Sequence, residues 1–197
     1  EIIKCDWSSD VCSSDLGSVN GWGDITEGFT MQYTWTVPHD VQGYINLAGK
    51  KLFEKRLDDL FTVELPDDIP GAHDIQGRIG GYWHGNEPCH HIAYLYNYLG
   101  KPWKCQKWIR EIVARFYGNE PGSLSGNDDC GQMSAWYIMS AMGFYQISPG
   151  DPTYTIGRPI FDKVTINLSI AWRASGPGLT DGGDRNPRVF WSIQKAF

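Results

Sequence analysis

HGNEPCHHIAYLYNYLGKPWKCQKWIREIVARFYG, residues 84–118, holds two helical patterns divided by Gly100-Lys101-Pro102. Pro88 suits the first turn of a helix running to about Leu99, and Gly100 stops it. Pro102 starts a second helix, in which Cys105, Trp108, Ile109, Ile112, Val113 and Phe116 recur with helical spacing until Gly118. Working outward, Lys50 to Phe61 reads as an amphipathic surface helix, with Phe53, Leu57, Leu60 and Phe61 on one face. Asp40 caps VQGYINLAG, which Gly49 closes, and a short helix within Ile25–Thr36 ends at Val37-Pro38. Downstream, a last helix spans about Asp129 to Gly143, before the breaker cluster Ser148-Pro149-Gly150-Asp151-Pro152.

Beyond that cluster the period changes. Thr153–Ile156 and Lys163–Leu168 read as short strands separated by Gly157-Arg158-Pro159. A series of helices followed by strands predicts a mainly α body with short β strands near the C-terminus. With no GxGxxG or Walker loop and no strand–helix alternation, a doubly wound sheet is disfavoured. Thr62–Trp83, rich in Pro, Gly and Asp, is a long connection leading into the polar run His84–Pro88, which favours a functional loop.

The chain has 197 residues, 41% of them hydrophobic and 14% aromatic, enough to bury one core. A net charge of −6 without a long Lys/Arg run excludes a nucleic-acid binder that works by counterion release. No stretch reaches the roughly 18 to 20 apolar residues of a membrane span. Nine Trp and ten Tyr suit stacking on apolar sugar faces as well as packing between helices.

Asp6–Leu16, DWSSDVCSSDL, reads as a translated sequencing-library adapter, so residues 1–16 are set aside as an artefact expected to be disordered. Cys89, Cys105 and Cys130 then remain, with no CxxC pair to support a zinc site or a disulfide framework.

Two polar runs precede helix-like segments: His84-Gly85-Asn86-Glu87-Pro88, and Gly126-Asn127-Asp128-Asp129. Glycoside hydrolysis generally needs two carboxyl groups flanking the scissile bond, and Glu27, Glu87, Asp128 and Asp129 occupy loop-to-helix positions where a pocket can form. Each could instead simply complement a helix dipole. Glu54, Asp58, Asp59 and Glu111 lie among basic residues on helices and read as a solvated face. Asn86 beside Glu87, and Asn127 beside Asp128, are oxygen-rich sets of the kind that bind a hard cation, although no DxDxDG loop is present. His84, His90 and His91 lack HExxH spacing, so substrate contact by one and packing by the others is favoured over zinc. His84, His90, Trp83 and Asn127 are the candidate substrate contacts.

TEGFTMQYTWTVPHDVQG (26–43), HGNEPCHHIAYLYNYLGKPWK (84–104), GNDDCGQMSAWYIMSAMGFY (126–145) and FDKVTINL (161–168) together resemble the C-terminal catalytic portion of family 92 glycoside hydrolases, calcium-dependent exo-α-mannosidases. The resemblance covers about Trp22 to Leu168. It implies part of an (α/α)6 toroid over residues 17–147 and the start of a C-terminal β segment over 148–168, and it leaves 169–197 as a non-matching tail that reads as a frameshift. It also implies an N-terminal β-sandwich domain outside this chain, and a parent enzyme that is periplasmic or extracellular. Glu27 takes the place of the general acid, and Asp129, with Asp128 or Asn127 beside it, that of the general base. Asn86, Glu87 and, more weakly, Gln76 match the motif of the Ca2+ shell, and the substrate is a mannose-containing glycan. The competing reading is a non-catalytic helical glycan-binding module.

Overall fold

The computed structural model describes residues 28, 30–65, 76–171 and 188–194. The structure is mainly helical: α1 (Thr30–Tyr33), α2 (Val41–Ala48), α3 (Lys50–Thr62), α4 (Pro102–Phe116) and α5 (Gln132–Met142). Three antiparallel strand pairs accompany them: β1 (Arg78–Ile79) with β2 (Tyr82–Trp83), β3 (Phe144–Tyr145) with β4 (Thr155–Ile156), and β5 (Thr165–Ala171) with β6 (Arg188–Gln194).

The chain divides into two compact units after Pro159. Residues 148–159, expected to open the β segment, belong with the helical unit. Strand β4 pairs with β3, Gly157 N–H donates to the Gly143 carbonyl at 2.8 Å, and Asn97 Nδ2 donates to the Ile156 carbonyl at 2.9 Å. In the second unit, Thr165 faces Gln194 and Ala171 faces Arg188, so the expected boundary at Leu168 falls inside a paired strand. Residues 1–16 and Glu27 lie outside the described residues.

The local rules explain the longer helices. Asp40 Oδ1 accepts from Gly43 N–H at 2.8 Å and caps α2. Gly49, at φ +83°, lets the chain turn between α2 and α3. Phe53, Leu57, Leu60 and Phe61 of α3 are buried, as are Cys105, Trp108, Ile109 and Ile112 of α4, and both sets follow the apolar period read from sequence. Glu54 and Asp58 are more than a solvated face. Lys101 and Lys104 pair with Glu54, and Lys104 also reaches Asp58, so the acidic face of α3 is bridged to α4 and the residue just before it.

Pro88–Leu99 departs from the expected α-helix. Its regular parts are tight turns at Glu87–Cys89 and Ile92–Asn97, with i to i+3 bonds such as Tyr94 N–H to His91 O at 3.0 Å. Ile92 to Tyr96 are all buried, leaving no solvent face. His91 is anchored to the Trp35 carbonyl, Tyr94 to Ser140 and Tyr96 to Asp58, and these anchors on several sides set the winding.

Candidate active site

The two polar runs meet backbone to backbone. His84 N–H donates to the Gly77 carbonyl at 2.8 Å and Gly85 N–H to the Gln76 carbonyl at 3.0 Å, extending the β1–β2 hairpin. A Cβ on Gly85 would stand 2.3 Å from the Ser125 carbonyl oxygen, and one on Gly126, at φ +117°, would stand 3.0 Å from the Gly85 carbonyl oxygen. Only glycine permits that approach. Asn86-Glu87 and Asn127-Asp128-Asp129 are thereby held at one loop junction.

A cleft of about 500 Å³ opens at this place, and Glu87, His90, His91, Asp129, Gln132 and Tyr145 are among its lining residues. Glu87 Oε1 is shielded from solvent, whereas Asp129 is exposed. Proline frames the cleft at Pro38, Pro88 and Pro149, so part of its wall has restricted backbone freedom.

The histidines are hydrogen-bonded into the fold. His84 is fully buried between the hydroxyls of Tyr82 and Tyr117, at 2.8 Å from Nδ1 and 2.7 Å from Nε2. Its ring stacks on His90 at 4.7 Å between centroids and meets Trp136 edge-on at 4.4 Å. Burial pushes the His84 imidazole well below its ordinary pKa. His90 Nε2–H donates to the His84 carbonyl at 3.0 Å, and Nδ1 faces the Gln132 amide nitrogen at 3.2 Å. Burial lowers His90 to about 4, so it stands neutral at the cleft wall near neutral pH. His91 Nε2–H donates to the Trp35 carbonyl at 2.7 Å, and its pKa is likewise lowered by burial.

Asp128 and Asp129 are adjacent in sequence and different in surroundings. Asp128 accepts from Ser134 N–H at 2.9 Å through Oδ1 and from Ser134 Oγ–H at 2.7 Å through Oδ2, which holds its carboxyl below the usual range. Its oxygens thereby satisfy a free N–H in the first turn of α5, whose N-cap Gly131 has no side chain to do so. Asp129 faces the cleft. The following Cys130 adopts φ +53° and Gly131 φ +79°, so two left-handed residues turn the chain from Asp129 into α5.

Of the residues expected at a site, Glu87, His90 and Asp129 share the cleft. Asn86 is buried beside Glu87, while Gln76 is exposed, its carbonyl tied to Gly85. Asn127 is exposed and stands outside the cleft lining. Trp83, 1% exposed, and His84, fully buried among the rings of His90, Phe116, Tyr117 and Trp136, do not line the cleft. Sequence reasoning passed over Gln132 and Tyr145, which do line it. Gln132 sits at the head of a helix directly after the acidic run, a positional signal available in the sequence. Tyr145 follows the helix-ending Gly143 and carried no such mark.

Residues 5–180 match the Glycosyl hydrolase family 92 catalytic domain. A family GH92 α-mannosidase from Bacteroides thetaiotaomicron, solved with mannoimidazole, is 79% identical with a TM-score of 0.69, over 72% of this chain and 19% of that one. The family GH92 inverting mannosidase from Bacteroides thetaiotaomicron VPI-5482 is 38% identical with a TM-score of 0.56, over 69% of this chain and 20% of that one. An uncharacterized secreted glycosidase of Arthroderma benhamiae is 30% identical over 140 residues, 71% of this chain and 16% of that protein. The chain therefore spans about a fifth or less of the length of these relatives. Because the family's catalytic-domain model matches residues 5–180, most of this chain's length, this chain belongs to glycoside hydrolase family 92.

Proposed function

We propose that the enzyme containing this chain removes terminal α-linked mannose from a glycan by calcium-assisted, inverting hydrolysis. The observation that carries this reading is the shared cleft of Glu87 and Asp129, two carboxylates from separate loops joined at Gly85 and Gly126. The α-mannosidase likeness supplies the substrate class.

Asp129 is the general base. Its exposed carboxylate accepts a proton from water while the water oxygen bonds to the anomeric carbon and the glycosidic C–O bond breaks. Glu27 is the general acid that gives its proton to the leaving oxygen. Asp128, its two oxygens engaged by Ser134, fixes the helix start that presents Asp129. His90 is neutral and adds no positive charge beside the carboxylates.

The donor chemistry fits a hard cation: Gln76, Asn86 and Glu87 offer oxygen ligands at one loop junction, and Asn86 is buried there. Calcium, when bound, would polarise and orient vicinal sugar hydroxyls. A β-sandwich domain of the same enzyme is its structural partner, and a periplasmic or extracellular location accords with the secreted relative. No helix among the described residues is long and apolar enough to cross a membrane.

The test is mannose release from an α-mannoside by the full-length enzyme, with calcium and with a chelator. Release that the chelator abolishes and calcium restores is expected. Glycan binding without any release in calcium would overturn the reading in favour of a non-catalytic module.

A further inference from the structure

Tyr145 and Gln132 form a hydrogen-bonded pair on the cleft wall. Tyr145 lies on β3, and its ring stacks on Tyr94 with centroids 5.1 Å apart and planes at 21°. Tyr94 is itself fixed by its hydroxyl bond to Ser140 at 2.8 Å. The phenol is therefore held by strand pairing and by stacking.

Donor and acceptor roles along this wall follow from chemistry. The His84 carbonyl can only accept, so His90 Nε2 carries the proton, and in the neutral ring Nδ1 offers a lone pair. The group facing Nδ1 must then donate, which fixes the Gln132 amide with its nitrogen toward His90 at 3.2 Å. The same nitrogen lies 3.2 Å from the Tyr145 hydroxyl. An amide nitrogen does not accept, so the Tyr145 oxygen takes the second Gln132 hydrogen and the phenolic proton is left for another acceptor.

We propose that Tyr145 binds substrate by donating its phenolic hydrogen to a sugar hydroxyl oxygen in the cleft, and that Gln132 is the positioning residue that keeps this hydrogen available. The pairing with Gln132 and the cleft position of both residues carry the inference, which rests on the mannoside-hydrolase reading. Burial also raises the Tyr145 phenol above its ordinary pKa, so the proton is retained throughout the neutral range. Gln132 thus selects which way the hydrogen bond runs. A neutral tyrosine without that neighbour can turn its proton toward a protein acceptor and present a lone pair to the sugar.

The experiment uses the full-length enzyme with Tyr145→Phe, Gln132→Met and the double variant, reading turnover of an α-mannoside and calorimetric binding of mannose. Each single variant is expected to raise KM and the mannose Kd by about three- to tenfold, the worth of one neutral hydrogen bond, with kcat within about twofold of the parent. The double variant is expected to be no worse than Tyr145→Phe, because both changes remove the same donor. Unchanged KM and Kd in Tyr145→Phe, or losses that multiply in the double variant, overturn the proposal. Tyr145→Phe removes a single oxygen, so the test stands even if Gln132→Met fails to fold. An unmodified enzyme that neither binds mannose nor releases it overturns the mannoside reading and this inference with it; one that does both, with Tyr145→Phe unaffected, overturns this inference alone.

Discussion

A single methyl group on Gly85 would stand 2.3 Å from the Ser125 carbonyl oxygen and 2.8 Å from that of Gln76, and both obstacles are backbone. Neither can turn aside as a side chain does, so the loops must separate. Gly85→Ala is expected to destabilise the protein by about 1 to 3 kcal/mol, as overpacking does, and to dislocate Glu87 from Asp129. Gly122, whose added Cβ would meet nothing within 4 Å, is the matched control. In the full-length enzyme, the urea midpoint and release of mannose from an α-mannoside are both expected to fall for Gly85→Ala and to stay near the parent for Gly122→Ala. Asp128 and Asp129 separate at the same scale. Asp128→Ala deletes the acceptor of Ser134 N–H and Oγ–H in the first turn of α5 and should lower the urea midpoint. Asp129→Ala should leave unfolding unchanged and abolish turnover. Equal stability losses for the two would contradict the division of roles.

Elements show where local pattern suffices. Helices α2, α3 and α4 end or begin at the glycines and prolines named in the sequence, because capping and φ restriction act within a few residues. The segment 88–99 does not follow its local pattern, because its neighbours on several sides determine its winding. The Glu54–Asp58–Lys101–Lys104 cluster is likewise an inter-element feature, and its side chains are partly exposed. Lys104→Met should weaken the α3–α4 contact by only about 1 kcal/mol, with the difference shrinking in high salt. A salt-independent loss would point instead to the Lys104 ammonium over the Tyr96 ring, 5.5 Å from its centroid.

At the scale of the molecule, three buried imidazoles tie stability to pH. His84, His90 and His91 all have folded-state pKa values below the ordinary 6.5, with His90 at about 4. Above about pH 6.5 they are neutral both folded and unfolded, and they contribute no pH slope. As pH falls the unfolded chain takes up protons first, so stability is lost from about 6.5 downward. For His90 the loss is complete near 4 and amounts to roughly 3 kcal/mol. Urea midpoints measured between pH 7.5 and 4.5 should fall steadily, and less steeply in His90→Gln. A flat profile over that range would show that the imidazoles are not buried in their neutral form.

The sequence by itself determined the mainly helical class, the glycine and proline boundaries of α2, α3 and α4, and the apolar faces of α3 and α4, because capping, periodicity and proline restriction are local. It also carried the four motifs that resemble family 92. Tertiary structure decided the rest. Trp83 and His84 look like cleft residues in the sequence, yet both are interior, since an aromatic next to a polar run carries no label for which side of a hairpin faces the core. Tyr145 gave no signal and lines the cleft, brought there by the pairing of β3 with a strand ten residues on and by stacking against Tyr94. Glu87 and Asp129, 42 positions apart in the chain, share a cleft because two glycine backbones touch, a contact that depends on the absence of side chains.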